Sequence, residues 1–192
     1  MIRIAIVGDI GSGKSYVAKQ FGYQVFNADN EVKKIYKNNR KCFRKLKKIL
    51  PDYIKNFPIQ KTEVTNAILS RNNNLKKIIK IIHPEVRKKM NSFIKRNKNS
   101  KFVVLDIPLL LENKINKKKD IIVFIDAKKK EINKRLKKKF SINLKIIKKF
   151  RKLQLPVEFK KQQSDFIIKN NFRDNYVKKN VKKVLEKILL NA

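Results

Sequence analysis

Apolar residues along the chain fall into two rhythms. Short β-branched or apolar runs at 2–7, 24–26, 102–106, 121–125 and 166–168 read as strands. Helical stretches separate them, the alternation expected of a parallel sheet with crossover helices, hence an α/β fold. Between the second and third runs, about 30–99, the apolar positions Val32, Ile35, Tyr36, Phe43, Leu46, Ile49 and Leu50 recur every three or four residues. That spacing predicts a mainly helical insertion into the α/β core. From about 128 to 161 the chain is helical again and dense in lysine, with breaks at Phe140-Ser141 and at Pro156. This stretch reads as a mobile basic lid or as a solvated helical hairpin. The last stretch, 174–190, carries Val177, Val181, Val184, Leu185 and Ile188 at helical spacing and is expected to pack on the sheet. With 192 residues, no internal repeat and no Pro/Gly/Ser-rich linker, the chain reads as one domain. Its core is expected at about 1–29, 100–127 and 162–192.

The first strand runs directly into G-D-I-G-S-G-K-S at 8–15, a complete G-x-x-x-x-G-K-[ST] phosphate loop. Gly8, Gly11 and Gly13 let the backbone fold into a nest whose N–H groups point at phosphate oxygens, with Asp9, Ile10 and Ser12 between them. The helix that follows, about 14–21, turns its positive end to the same anion. Lys14 is expected to reach the β- and γ-phosphates, and Ser15 to offer a hydroxyl ligand to Mg²⁺. A nucleoside triphosphate site follows from this placement.

Charge adds one question and composition removes several classes. Lys and Arg number 51 against 15 Asp and Glu, a net charge of +36. Such a chain attracts nucleic acid, anionic membrane or anionic metabolites. The lysines are spread along the chain with abundant Ile and Asn, however, which points to compositional bias more than to a dedicated nucleic-acid surface. No aromatic-studded RNA-recognition signature or zinc-finger spacing is present. One histidine and one cysteine, Cys42, exclude a His/Cys zinc site and an intramolecular disulfide. The N-terminus lacks a leader pattern and no run is long enough to cross a bilayer, so a cytoplasmic protein without a membrane partner is expected.

A phosphate loop does not name the acceptor, so the remaining polar positions matter. Asp29 stands just beyond the second strand, where it either orients or deprotonates an attacking hydroxyl or caps a helix. Asp106 closes the third strand and is a candidate for holding Mg²⁺ or its water; its alternative is a turn residue before Pro108. Glu112 is a weaker version of the same idea. His83 precedes Pro84, where a helix is expected to break, and reads more readily as a packed residue than as a catalyst. Phosphoryl transfer also needs a cation from outside the loop, and arginine grips phosphate bidentately. Of the nine arginines, Arg135 in the basic stretch is the choice, against its reading as a solvated helix charge.

Taken together these residues resemble the dephospho-coenzyme A kinase family. The loop at 8–15, Asn27-Ala28-Asp29 where the family has D-A-D, His83-Pro84, the V-x-D-x-P-L-L-x-E pattern from Val104 to Glu112, Arg135-Leu136, and the Q-x-P-x-E-x-K and A-D-x-x-I-x-N patterns from Gln154 to Asn170 run in the family's order over nearly the whole chain. The resemblance implies a phosphate-loop kinase with a three-layer α/β/α core, a helical substrate-binding insertion and a lid. It implies ATP and Mg²⁺ as cofactors and phosphorylation of the ribose 3′-hydroxyl of dephospho-coenzyme A, with Asp29, Lys14 and Arg135 catalytic. It further implies Ser15 and Asp106 as metal ligands and Asn170 at the nucleotide. Lys33, Lys61, His83, Pro108 and Leu109 are expected at the substrate, in a monomer or weak homo-oligomer with no specific nucleic-acid partner. Five departures stand out. Asp9 replaces a glycine, so its carboxylate must point away from the phosphates or be offset by nearby lysines; Asn27 replaces the first aspartate of D-A-D. Lys139 and Lys161 stand at arginine positions, and Arg151 lies out of register with another lid arginine. The competing readings are another small-molecule or nucleoside monophosphate kinase and, from a different class, a basic nucleic-acid-binding protein.

Overall fold

A computed structural model describes residues 1–138 and 143–190. Lys139, Phe140 and Ser141, which carry one departure and one expected helix break, lie outside them. The described chain divides into two compact units. One comprises 1–27, 97–138 and 151–190; the other comprises 28–96 and 143–150.

The first unit is built on a parallel sheet of β1 (Ile2–Gly8), β2 (Val25–Asn27), β3 (Phe102–Asp106), β4 (Ile121–Asp126) and β5 (Phe166–Lys169) in the order β2-β3-β1-β4-β5. All five predicted strands are present, each within one or two residues of its expected bounds. β3 is buried at every position, as a central strand covered on both faces requires. On one face Ile4, Ile6, Phe102, Val104, Val123, Ile125 and Ile168 form a core with Val17, Ala18 and Phe21 around α1 (Lys14–Gln20) and Val177, Val181, Val184 and Ile188 of α9 (Asp174–Leu190). The expected C-terminal helix thus packs where its apolar stripe demands. The opposite face, marked by Phe124, carries α8 (Val157–Gln162), whose Lys161 Nζ stands 5.8 Å from the Phe124 ring. These are the three layers of an α/β/α core. Pro156 is the N-cap of α8, the break the sequence predicts. Asp165 joins β5 to β4: its N–H donates to Ile122 O at 2.9 Å and its carboxylate accepts from Ile122 N–H at 2.7 Å.

The second unit is helical: α2 (Ala28–Asn38), α3 (Arg40–Ile49), α4 (Lys61–Ser70) and α5 (Asn74–Arg96), with most of α7 (Leu144–Arg151). The stretch read as a lid is therefore shared between the units. α6 (Lys129–Lys138) and the chain from Arg151 onward go with the sheet, and 143–150 goes with the helices. There Lys149 Nζ donates to the carbonyls of Ile68 and Leu69 at 2.6 and 3.3 Å, satisfying the end of α4. A capping box between Gln60 and Glu63 starts that helix. One expectation fails in this unit: α5 does not break at His83-Pro84 but runs through it for 23 residues. Pro84 removes one N–H from the ladder. The buried stripe Leu75, Ile78, Ile82, Val86, Met90 continues on both sides of it, and α5 packs against α2, α3 and α4, so burial along the whole length outweighs the local loss.

Candidate active site

The phosphate loop lies beyond the carboxyl end of β1, between β3 and β4, where open parallel sheets bind ligands. Its shape depends on two glycines in left-handed backbone. Gly13, at φ +89°, is the N-cap of α1, and a Cβ there would lie 2.4 Å from Asn170 Nδ2. Gly11, at φ +86°, would put a Cβ within 3.1–3.2 Å of Ile132 and Leu136, the buried residues of α6. The loop is therefore pressed between α6 and the segment after β5. Asn170, 4% exposed, ties these parts together: Nδ2 donates to Ser12 O at 2.8 Å and Oδ1 accepts from Phe172 N–H at 2.8 Å. The guanidinium of Arg135, on α6, stacks 4.4 Å above the Phe172 ring. Lys14 Nζ lies along the loop, donating to the carbonyls of Asp9 at 2.8 Å and Gly8 at 3.2 Å.

A second cluster adjoins it at the strand ends. Asp106 is 2% exposed and accepts from the Asn27 side-chain amide, and the same Nδ2 stands 3.4 Å from Ser15 Oγ. The pairing register places Asn27 opposite Asp106, so β2 supplies the bridge between the two expected metal ligands. Magnesium prefers oxygen donors and keeps much of its shell as water and phosphate. A hydroxyl and a buried carboxylate linked through one amide fit that demand. Glu112 does not join this cluster. Its carboxylate pairs with buried Lys160 at 3.2 Å and accepts from Leu155 N–H at 3.0 Å, anchoring the chain that enters α8.

The remaining candidates are dispersed. Pro108 and Leu109 are half-buried in the turn after β3, where Leu109 O accepts from Asn113. In the helical unit Asp29 is exposed in the first turn of α2, where a carboxylate is favoured by the helix dipole. Lys33, four residues on, is exposed too and lies on the same face of the helix. Lys61 is the exposed first residue of α4. His83 is half-buried on α5, and burial, with the Arg87 charge one turn away, pushes its imidazole pKa below 6.5.

The model of the dephospho-CoA kinase family matches residues 2–175. The chain belongs to that family. This makes it a kinase of the last step of coenzyme A biosynthesis, with ATP as phosphoryl donor. The kinase is 33% identical over 198 residues to a dephospho-CoA kinase of Wolbachia pipientis wMel, covering 98% of this chain and 99% of the relative. It is 31% identical to one of Bartonella quintana, with 98% of each chain covered. Among solved structures, one from Thermus thermophilus superposes with a TM-score of 0.77 at 24% identity, covering 99% and 97% of the two chains. A dephospho-CoA kinase from Campylobacter jejuni gives 0.65 at 23% identity, covering 97% and 96%. These likenesses carry the fold, a phosphate-loop kinase core. No helix among the described residues is long and apolar enough to cross a membrane.

Three members of the site escape sequence reasoning. Asn27 reads only as a lost aspartate, whereas its amide holds Asp106. Phe172 carries no signal except its place two residues beyond Asn170. Arg151 is noticed for being out of register, yet its Nη2 stands 3.7 Å from Asp9 Oδ2. The charge offset expected from lysines thus comes from an arginine.

Proposed function

We propose that this chain transfers the γ-phosphoryl group of ATP to the ribose 3′-hydroxyl of dephospho-coenzyme A, with Asp29 receiving the hydroxyl proton. The observation that carries the reading is the phosphate loop joined through Asn27 to Asp106 at the strand ends, in a chain of this family. In the transfer the 3′-oxygen forms a bond to the γ-phosphorus, the bond from that phosphorus to the β,γ-bridging oxygen breaks, and ADP departs. Lys14 and the loop N–H groups bind the β- and γ-phosphates, and Lys14 and Arg135 offset the charge that spreads over the moving group. Arg135 is held for this by its stacking on Phe172. Ser15 and Asp106 would hold Mg²⁺, whose chemistry is to neutralise the phosphate oxygens. On the acceptor side Lys33 and Lys61 attract the anionic diphosphate, and His83, Pro108 and Leu109 are taken as further substrate-binding residues. The protein is taken as a cytoplasmic monomer or weak homo-oligomer with no specific nucleic-acid partner.

The test is ADP release with ATP, Mg²⁺ and dephospho-coenzyme A, beside AMP, CMP and UMP as acceptors, with the product identified by mass. Release with dephospho-coenzyme A alone is expected. Release with a nucleoside monophosphate instead would replace the acceptor, and release with none would return weight to a binding role. In the same assay Asp29→Asn is expected to lower turnover about 10²–10⁴-fold with ATP binding retained, since it removes basicity and little volume. Wild-type turnover in that variant would reduce Asp29 to a helix-dipole residue.

A further inference from the structure

Two of the chain's departures from its family, an aspartate inside the phosphate loop and an arginine out of register, meet in space. Asp9 Oδ1 accepts from the Ile10 N–H at 2.6 Å, which turns Oδ2 toward Arg151 at 3.7 Å. Arg151 is held on a fixed stretch. Its carbonyl accepts from Gln154 N–H at 3.0 Å, and the next N–H, of Leu155, is bound by Glu112, itself paired with Lys160. At 3.7 Å the contact with Asp9 is an ion pair without a hydrogen bond, and both Nε and Nη2 of Arg151 are buried with no hydrogen-bond partner. A guanidinium with two buried, unsatisfied N–H groups beside a phosphate loop lacks an acceptor of its own. A tetrahedral anion with several oxygens satisfies such a fork better than a carboxylate already engaged by a backbone N–H.

We propose that Arg151 is a ligand of the ATP phosphates in this kinase, and that its pairing with Asp9 neutralises the acidic loop so that the nucleotide can enter. Asp9 is then a positioning residue, and each departure makes sense only with the other. Without Arg151, Asp9 presents an uncompensated negative charge to a polyanion. Without Asp9, the arginine has no fixed place over the loop. The inference rests on the ATP half of the proposed function and is independent of the acceptor.

The experiment is calorimetric ATP binding at fixed ionic strength, without acceptor, to wild type, Arg151→Ala, Arg151→Lys and the double variant Asp9→Asn/Arg151→Ala. Melting temperatures of all four serve as the folding control. Arg151→Ala is expected to raise the ATP Kd roughly 10- to 100-fold, the range for losing charge-assisted hydrogen bonds. Arg151→Lys, which keeps the charge without the fork, is expected to fall between it and wild type. The double variant should bind about fivefold tighter than Arg151→Ala, because it no longer carries the unmasked carboxylate. An Arg151→Ala Kd within twofold of wild type, or a double variant that binds no better than the single one, overturns the proposal. If Arg151→Ala does not fold, Arg151→Lys decides by the same twofold criterion. Wild-type protein that binds no ATP sinks the proposed function and this inference together.

Discussion

Asn170 is the residue through which the phosphate loop is tied to the end of the sheet, and replacing it with alanine is expected to loosen both. Its side chain makes two hydrogen bonds, to Ser12 O and from Phe172 N–H, each at 2.8 Å, and it is 4% exposed. The alanine variant would strand one buried acceptor and one partly buried donor, each costing about 1–3 kcal/mol. A loss of about 2–4 kcal/mol follows, because part of the Phe172 cost is recovered by water. For a chain of this length that lowers the melting temperature by roughly 2–4 °C per kcal/mol, or about 5–15 °C in all. The nucleotide should respond too. Gly13 lies against the Asn170 amide, so losing the tie frees the turn that opens α1 and aims its N–H groups. A roughly tenfold rise in the ATP Kd is expected. Asn170→Asp should be damaging in the same direction, since it keeps the acceptor for Phe172 N–H but sets a carboxylate oxygen against the Ser12 carbonyl. Thermal melting and ATP calorimetry on both variants read the two effects separately. An alanine variant within about 1 °C of wild type, with unaltered ATP affinity, would refute the reasoning.

Further consequences can be measured in the same preparations. Asp106→Asn keeps the packing beside Asn27 but removes the charge, and should raise the Mg²⁺ concentration needed for half-maximal turnover and lower kcat by about 10²-fold; an unchanged Mg²⁺ profile would remove Asp106 from the metal site. Glu112→Ala leaves Lys160 buried and unpaired, which costs about 3–5 kcal/mol, whereas Glu112→Ala with Lys160→Met should regain most of it by replacing the pair with apolar contacts; equal urea midpoints for the single and double variants would contradict this. His83 has its folded pKa pushed below 6.5, so the unfolded chain binds the proton more readily. Its contribution to stability is fully present above about pH 6.5 and is lost as the pH falls. His83→Gln should flatten the pH dependence of the melting temperature between about pH 7 and 5, and an unchanged slope would count against it.

What the sequence made legible follows from the reach of each signal. Strand positions were readable because the strands are short apolar runs, three of them closed by Asn27, Asp106 and Asp126. The loop was readable because phosphate binding demands glycine and lysine at fixed spacing, a signal that lies within eight consecutive residues. Reading fails where a side chain takes its role from a distant partner. Pro84 carries a strong local helix-breaking signal, yet the apolar stripe on either side of it, packed against three helices, carries the helix through. Glu112 shares the acidic character of a metal ligand, and only the fold reveals that Lys160, 48 residues on, occupies it. Asn27 and Asp9 look like losses when compared position by position with a family pattern. In the fold the first is an amide that holds a buried carboxylate and the second is half of an ion pair with Arg151. A substitution inside a binding loop is interpretable only with the charge that faces it, and that charge can come from more than a hundred residues away in the chain. Arg151 lies 142 positions beyond Asp9, and the arginine that reads as out of register in the sequence is the one that gives the acidic loop its counter-ion.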